Sequence, residues 1–347
     1  MMLSHYGFRV VRLPIDLLSR CIVPFFVGVL VAAVGGSVAP RITRQDATVV
    51  LVDDSNPLSG RTFYADPTSP AMVAAASAVP PNSELTGIAN TAQARWVGDD
   101  IGVADVAGYV QRYIAAAASA SSLPILTLYA IPHRDCGGFS AGGFATGSQY
   151  RQWIDGVVDG LGSAAVAIVL EPDALTAADC LPSDEQQERY ALLRYAVNAL
   201  RKDSAAVVYI DGGHSRWLSA EELARRLAAV GVAQARGFSL NTSNFFTTDE
   251  EIAYGEAVSK SAGGAHYVID TSRNGAGPAP AAPLNWCNPP GRALGQRPTT
   301  NTAGAHADAY LWIKGPGESD GECDRGDPYS GLFMPDYAID LARNAGG

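Results

Sequence analysis

Two carboxylic acids stand at the end of an apolar run in the segment AIVLEPDALT, residues 167–176. Glu171 and Asp173 are separated only by Pro172, whose ring restricts the backbone between them. An apolar run that ends on acidic residues is typical of a buried strand that delivers its last side chains to a site. Crowded acidic groups raise the pKa of at least one carboxyl, which then stays protonated and can act as a general acid.

Polar clusters also follow four other apolar runs. These clusters are His133-Arg134-Asp135-Cys136, Asp211-Gly212-Gly213-His214, Asn241-Thr242-Ser243-Asn244, and Lys314 with Glu318-Ser319-Asp320. Because the carboxyl ends of parallel strands face the same side, we expect these groups to converge on one mouth. Helix capping or pairing with an arginine would explain any one acidic residue alone. Five clusters at matching strand ends favour a common site.

This combination of residues indicates glycoside hydrolysis. The reaction needs a proton for the departing oxygen and a negative group on the opposite side of the sugar. The sequence has several carboxylates for these tasks and no nucleophilic serine–histidine pattern. Neither a CxxC nor an HxxxH spacing points to a metal site, and no cofactor is implied.

Short β-branched runs alternate with helical patterns after residue 50. The candidate strands are residues 61–65, 94–98, 124–131, 165–172, 206–213, 237–243, 266–272 and 309–314. The clearest helical patterns, 183–202 and 219–230, open with a serine followed by acidic residues. About eight such units in roughly 300 residues predict a single distorted TIM-like parallel β/α barrel with an open active-site cleft. A doubly wound sheet is the alternative, but its Gly-rich dinucleotide turn is missing.

The N-terminus predicts export. Three arginines precede the uncharged apolar run 21–36, so we interpret residues 1–40 as a signal peptide, with an uncleaved membrane anchor as the alternative. Residues 41–347 would then form the catalytic domain of a protein secreted or tethered to the cell envelope. Four cysteines remain in that domain, and in an exported chain they predict two disulfides, with three connectivities open.

The formal net charge of −10 argues against partners such as nucleic acid or an acidic membrane surface. We expect a monomer that binds a neutral substrate.

The motifs of this chain resemble those of the family-six glycoside hydrolases, the inverting cellulases, and most of all its bacterial endo-β-1,4-glucanases. LYAIPHRDCGGFSAGG (128–143) and AIVLEPDALT are similar to the two signature motifs of that family. Five further motifs follow in the order of the family: VYIDGGHSRW (208–217), SLNTSN (239–244), VIDTSRNG (268–275), NWCNPPGRALG (285–295) and WIKGPGESDG (312–321).

The resemblance implies hydrolysis of internal β-1,4-glucosidic bonds in cellulose or a related β-glucan, with inversion of the anomeric configuration. Two alternatives stay open, which are a glucan-binding envelope protein with weak or no turnover and chain-end cleavage of the cellobiohydrolase type.

The resemblance also implies a role for individual residues. Asp173 would be the general acid, and Asp135 would raise its pKa and help hold the attacking water. Asp320 would be the base or one end of a proton relay to that water, at roughly 6.5–9.5 Å from Asp173 as inversion requires. Asp211 would support the electrostatics of the site, and Tyr129 would lie beneath the distorted sugar. Substrate contacts are predicted for Trp96, Arg134, His214, Trp217, Asn241, Trp286, Lys314 and Glu318.

The pairing of the cysteines follows from the same resemblance. Cys136 should pair with Cys180, and Cys287 with Cys323, so that each bond ties a loop of the site. One position departs from the family, which often carries a serine six residues after the aspartate of RDC. This chain has Ala141 there, with a serine just before it, so the hydroxyl associated with holding the water is missing.

Overall fold

The computed structural model describes residues 55–202 and 205–346. The predicted signal peptide or anchor, residues 1–40, lies outside the described residues, as does the start of the predicted catalytic domain. Within the described part of the chain, no helix has both the length and the apolar character needed to span a bilayer.

Seven parallel strands in the described residues form one curled sheet, a half-barrel in which each strand pairs with the next along the chain. They are β1 (Arg95–Gly98), β2 (Ile125–Tyr129), β3 (Val166–Leu170), β4 (Ala206–Asp211), β5 (Gly237–Leu240), β6 (His266–Asp270) and β7 (Ala307–Leu311). One hydrogen bond, from Ala94 N to Trp312 O at 2.9 Å, links the residue before β1 to the residue after β7. The predicted distorted TIM-like barrel is confirmed.

The prediction of about eight strands was wrong by one, because residues 61–65 do not form a strand. Only Phe63 pairs there, in a single bridge with Leu123. Asp66 then accepts a hydrogen bond from Thr68 N at 2.7 Å, and this turn leads the chain towards a helix. The turn chemistry of the aspartate therefore prevails over the weak strand pattern before it.

Helices surround the sheet, and both of the clearest helical predictions are confirmed. The first matches helix Ser183–Lys202, and the second matches helix Ala220–Ala229, in which the hydroxyl of the N-cap Ser219 accepts a hydrogen bond from Glu222 N. The helices are α1 (Pro70–Ser77), α2 (Ser83–Ala89), α3 (Val106–Ser119), α4 (Gly147–Leu161), α5 (Ser183–Lys202), α6 (Ala220–Ala229), α7 (Thr248–Ser261) and α8 (Pro335–Ala345).

The side chains of the strands divide between two apolar layers, because successive residues of a strand point to opposite faces. In β3, Ala167 and Val169 belong to the cluster inside the barrel, whereas Ile168 and Leu170 pack against the helices. Burial of each larger aliphatic side chain contributes about 1.5–3 kcal/mol. Packing on both faces therefore fixes the position of the sheet. The residues that follow each strand are attached to a rigid strand end.

Several strands end earlier than the sequence pattern predicts. β3 stops at Leu170 and β5 at Leu240. The next residues, Glu171 and Asn241, have φ angles of 52° and 65°. This left-handed backbone is costly for a residue with a side chain, by about 1–2 kcal/mol, and it breaks the strand ladder. The turns bring the residues that follow them, such as Asp173 and Ser243, to the cleft at the end of the barrel.

Candidate active site

A cleft of about 1120 Å³ lies at the mouth formed by the C-terminal ends of the strands. Most of the residues that the sequence predicts for the site line this cleft. They are Trp96, Tyr129, Arg134, Asp135, Asp173, His214, Trp217, Trp286, Lys314, Glu318 and Asp320. Asp211 and Asn241 are buried and do not line the cleft.

Asp173 lies in a left-handed turn, with φ of 66°, directly after β3. Burial raises the pKa of Asp173 well above its usual range, and the nearby carboxylates of Asp211 and Asp135 raise it further. Within the described residues, no lysine or arginine forms a salt bridge with Asp173 that would counter these effects. These effects favour the protonated form of the carboxyl group, which is the form that can donate a proton.

Asp211 supports the turn of Asp173 from below. Its Oδ1 accepts hydrogen bonds from Asp173 N and Gly213 N, both at 3.0 Å, and its Oδ2 accepts one from the hydroxyl of Ser239 at 2.9 Å. Burial raises the pKa of Asp211, while these hydrogen bonds act in the opposite direction. Asp211 therefore acts on Asp173, by holding its backbone N–H and by placing a carboxylate near its side chain. It does not touch a ligand in the cleft.

Asp135 begins a tight loop after β2, with φ of 57°. Its Oδ2 accepts a hydrogen bond from Ser140 N at 2.6 Å, and burial raises the pKa of the carboxyl. The adjacent Cys136 forms a disulfide with Cys180, as predicted. This bond joins the loop of Asp135 to the segment that follows Asp173.

Three aromatic and cationic side chains form one wall of the cleft. The rings of Trp96 and Tyr129 meet edge to face, with centroids 5.2 Å apart. The guanidinium of Arg134 lies 4.6 Å from the centroid of Tyr129, and Asp99 pairs with its charge. Arg134 is therefore held against the wall by protein groups on both sides.

Asp320 follows β7 in the chain and is only 6% exposed. Its Oδ2 accepts hydrogen bonds from Arg273 Nη1 at 2.8 Å and from Asn288 N at 3.0 Å. Lys314 Nζ lies 3.7 Å from the other carboxylate oxygen. The charge of Asp320 is thus offset by two cations, which distinguishes it from Asp173. The predicted disulfide between Cys287 and Cys323 closes the same region.

The other predicted contacts lie along the cleft. Burial lowers the pKa of His214 to about 4, so its imidazole is neutral, and it packs against Phe246 with ring centroids 4.4 Å apart. Trp217 and Trp286 are 39% and 43% exposed, so both rings are accessible to a ligand. Burial raises the pKa of Glu318.

Asn241 is the predicted substrate contact that the structure does not bring to the cleft. Its Nδ2 donates hydrogen bonds to Phe246 O at 3.1 Å and Asp270 O at 2.9 Å, and its Oδ1 accepts one from Phe246 N. Both amide N–H groups are therefore used within the protein. They hold the loop whose residues 242–244 do line the cleft.

A comparison with known protein families identifies the family of this chain. The profile of the family "Glycosyl hydrolases family 6" matches residues 58–346. The chain belongs to glycosyl hydrolase family 6. Two similar proteins and one solved structure each align with at least 80% of this chain.

Endoglucanase A of Cellulomonas fimi is 44% identical over 291 residues, which are 83% of this chain and 62% of that protein. The chain thus spans less than two thirds of the length of this relative. Endoglucanase 1 of Streptomyces halstedii is 41% identical over 291 residues, or 80% of this chain and 88% of the relative.

A solved structure is also similar. It is the endoglucanase Cel6 from Mycobacterium tuberculosis in complex with methyl-cellobiosyl-4-deoxy-4-thio-β-D-cellobioside, with a TM-score of 0.84 and 65% sequence identity. The match covers 84% of this chain and 100% of that chain.

The family-6 chain contains three polar residues near the site that the sequence analysis did not assign. Arg273 holds Asp320, and Glu171 and Arg189 hold the backbone beside Asp135 and Asp173. Only Glu171 carried a signal in the sequence, because it directly follows the apolar run of β3, whereas Arg189 and Arg273 stand among polar residues. Within residues 55–202 and 205–346, no cluster of histidine, cysteine or acidic residues has the arrangement of a metal site.

Proposed function

We propose that the protein hydrolyses internal β-1,4-glucosidic bonds of cellulose or a related β-glucan with inversion of the anomeric configuration. The observation that carries this proposal is that the carboxyl of Asp173, beside Asp135 and Asp211, lines the same cleft as Asp320, which pairs with Arg273. Two similar family members bear the name endoglucanase, and a third was solved with a thio-linked cello-oligosaccharide. These names support a glucan as the substrate.

The proposed reaction is a single displacement. The oxygen of a water molecule forms a bond with the anomeric carbon while the bond to the leaving oxygen breaks, and Asp173 transfers its proton to that oxygen. The water loses a proton to Asp320, directly or through a relay. This route requires about 6.5–9.5 Å between the two carboxyl groups, and the separation of Asp173 and Asp320 stays a prediction.

The position of the attacking water is where this chain differs from the family pattern. Ala141 lines the cleft and has no hydroxyl, and the hydroxyl of the neighbouring Ser140 lies 2.7 Å from that of Ser330. In our proposal Asp135 and Asp320 hold the water without help from a serine at 141. The missing hydroxyl also favours a second candidate function, which is a glucan-binding protein with little turnover.

One experiment separates these functions. Wild type and Asp173→Asn are incubated with soluble cello-oligosaccharides, the anomer formed first is read by NMR, and binding is measured calorimetrically. We expect α-anomer from wild type, and from Asp173→Asn a loss of activity on the order of 10²- to 10⁴-fold at unchanged affinity. An early β-anomer would contradict the single displacement, and equal binding with no hydrolysis by wild type would identify a binding protein.

Internal cleavage is tested separately with soluble cellulose. We expect viscosity to fall faster than reducing ends accumulate. Parallel changes would instead indicate chain-end attack of the cellobiohydrolase type.

We also propose that the protein is exported and works as a monomer. The two disulfides support an oxidising compartment. Residues 1–40 would serve as a cleaved signal peptide or a tether, and residues 41–347 as the catalytic domain. Mass spectrometry of the mature N-terminus in culture supernatant and membrane fractions distinguishes cleavage from anchoring.

A further inference from the structure

Two buried ionisable residues that do not line the cleft hold the backbone between Tyr129 and Asp135. Glu171 is 1% exposed, and Arg189 on α5 is 2% exposed. Neither side chain lines the cleft, so neither can touch a ligand bound there. Their hydrogen bonds instead go to the start of the loop that carries Asp135.

Glu171 binds the first N–H groups beyond the end of β2. Its Oε1 accepts a hydrogen bond from Ala130 N at 3.1 Å, and its Oε2 accepts bonds from Ala130 N at 3.0 Å and Ile131 N at 3.1 Å. Ala130 and Ile131 are buried, so these N–H groups would lose a partner in a low-dielectric environment if the carboxylate were removed. The left-handed φ of Glu171 aims its side chain at them.

Arg189 binds the next carbonyl groups of the same segment. Its Nη2 donates hydrogen bonds to Pro132 O at 2.8 Å and His133 O at 2.7 Å. Its Nη1 donates a longer bond of 3.4 Å to Ala174 O, beside the acid. One buried side chain thus contacts both the segment that leads to Asp135 and the turn of Asp173.

We propose that Glu171 and Arg189 are positioning residues that fix the distance between the carboxyl groups of Asp135 and Asp173. One binds the donors and the other the acceptors of the intervening backbone, so the loop after β2 has a single arrangement relative to β3. The inference rests on the proposed function, because the distance matters only if Asp173 works as the acid.

The pKa of Asp173 makes this role measurable. The carboxylates that raise it are those of Asp211 and Asp135, and Glu171 is not among them. The titratable and charged groups around Glu171 itself are Tyr129, Arg134, Tyr150 and Arg189. A change at Glu171 therefore reaches the proton of Asp173 through the position of Asp135.

The test replaces Glu171 by glutamine, which keeps the size of the side chain but only one acceptor oxygen. The pKa of Asp173 is followed by ¹³C NMR of the aspartate carboxyl groups, with kcat and KM for a soluble cello-oligosaccharide measured across pH. We expect the pKa of Asp173 and the alkaline limb of activity to fall together by about one unit. We expect kcat to fall by on the order of 10- to 100-fold and KM to stay within about twofold.

A double-mutant cycle with Asp135→Asn tests the route of the effect. In the Asp135→Asn background, Glu171→Gln should leave the pKa of Asp173 unchanged. The matched control is Glu251→Gln, which alters another fully buried carboxyl that holds a loop N–H, that of Ser215 at 3.0 Å. This control should not move the alkaline limb.

The same pKa shift in the Asp135→Asn background, or in the Glu251→Gln control, would overturn the inference, as would an unchanged pKa in Glu171→Gln. Arg189→Lys, which keeps the charge with fewer donors, should shift the pKa in the same direction and serves if Glu171→Gln does not fold. The NMR titration needs no turnover. An inactive wild type would refute the proposed function, while the titration would still decide the positioning role.

Discussion

The ion pair between Arg273 and Asp320 allows a prediction whose magnitude follows from burial. Arg273 is 0% exposed, and its Nη1 donates to Asp320 Oδ2 at 2.8 Å. Removing one partner of a buried pair costs about 3–5 kcal/mol, because the other charge stays in a low-dielectric environment. Lys314 lies 3.7 Å from the carboxylate and Asn288 N still donates to it. We therefore expect Arg273→Met to cost about 3 kcal/mol, at the lower end of this range.

The assay is urea unfolding followed by tryptophan fluorescence at pH 7, with both disulfides intact. The double variant Arg273→Met with Asp320→Asn should recover about 2 kcal/mol relative to additivity, since it buries no uncompensated carboxylate. Activity should fall in both single variants and should not return in the double variant, because in our proposal the Asp320 carboxylate also accepts the proton of the water.

The control is Arg343→Met, which removes an exposed arginine that lies 3.1 Å from Glu84. An exposed pair contributes about 0–1 kcal/mol, so this variant should unfold like wild type. If Arg273→Met were no less stable than Arg343→Met, or if the cycle were additive, the two cations around Asp320 would not balance its charge as argued.

Three further predictions concern pH and redox conditions. Asp135→Asn removes a charge that raises the pKa of Asp173, so the alkaline limb of activity should move to lower pH; an unchanged limb in the pH–rate profile would contradict this. Burial raises the pKa of Glu251 from 4.5 to about 7, so wild type loses about 3 kcal/mol as pH rises through that range. Glu251→Gln should therefore be more stable than wild type in urea at pH 8 and equal to it at pH 4, and an equal difference at both would refute the cause. The disulfide of Cys136 and Cys180 is exposed and that of Cys287 and Cys323 is buried. A mild thiol should therefore reduce the first bond before the second, which a peptide map after alkylation would show, and kcat should fall as the first bond is reduced.

The order of the strands could be predicted because their apolar runs are short, β-branched and separated by well-capped helices. The ends of the strands could not, since Glu171 and Asn241 take left-handed backbone in the middle of a pattern with a period of two. Residues 61–65 also carry a strand-like composition, but the turn at Asp66 prevents pairing beyond one bridge. Local turn chemistry, rather than hydrophobic periodicity, determines where these strands end and whether residues 61–65 form a strand.

The convergence of the acidic residues on one mouth could be predicted, but the direction of each side chain could not. Asp211 and Asn241 belong to strand-end clusters as Asp173 does, yet both bind backbone groups and lie below the cleft. Arg273 and Arg189 bind partners 47 and 56 residues away. Contacts over such separations depend on how neighbouring strands are placed, and no spacing in one sequence encodes them.

The environments of the two central carboxyl groups support the proposed acid and base roles. Asp173 is half-buried beside other carboxylates, and desolvation and their charges raise its pKa and so favour its protonated form. Asp320 instead forms ion pairs with Arg273 and Lys314. When one site separates two like groups in this way, the protonated one is suited to protonate a leaving group and the ionised one to accept a proton from water. Exchanging the two roles would require a cation beside Asp173, where burial and the charges of Asp135 and Asp211 act in the opposite direction.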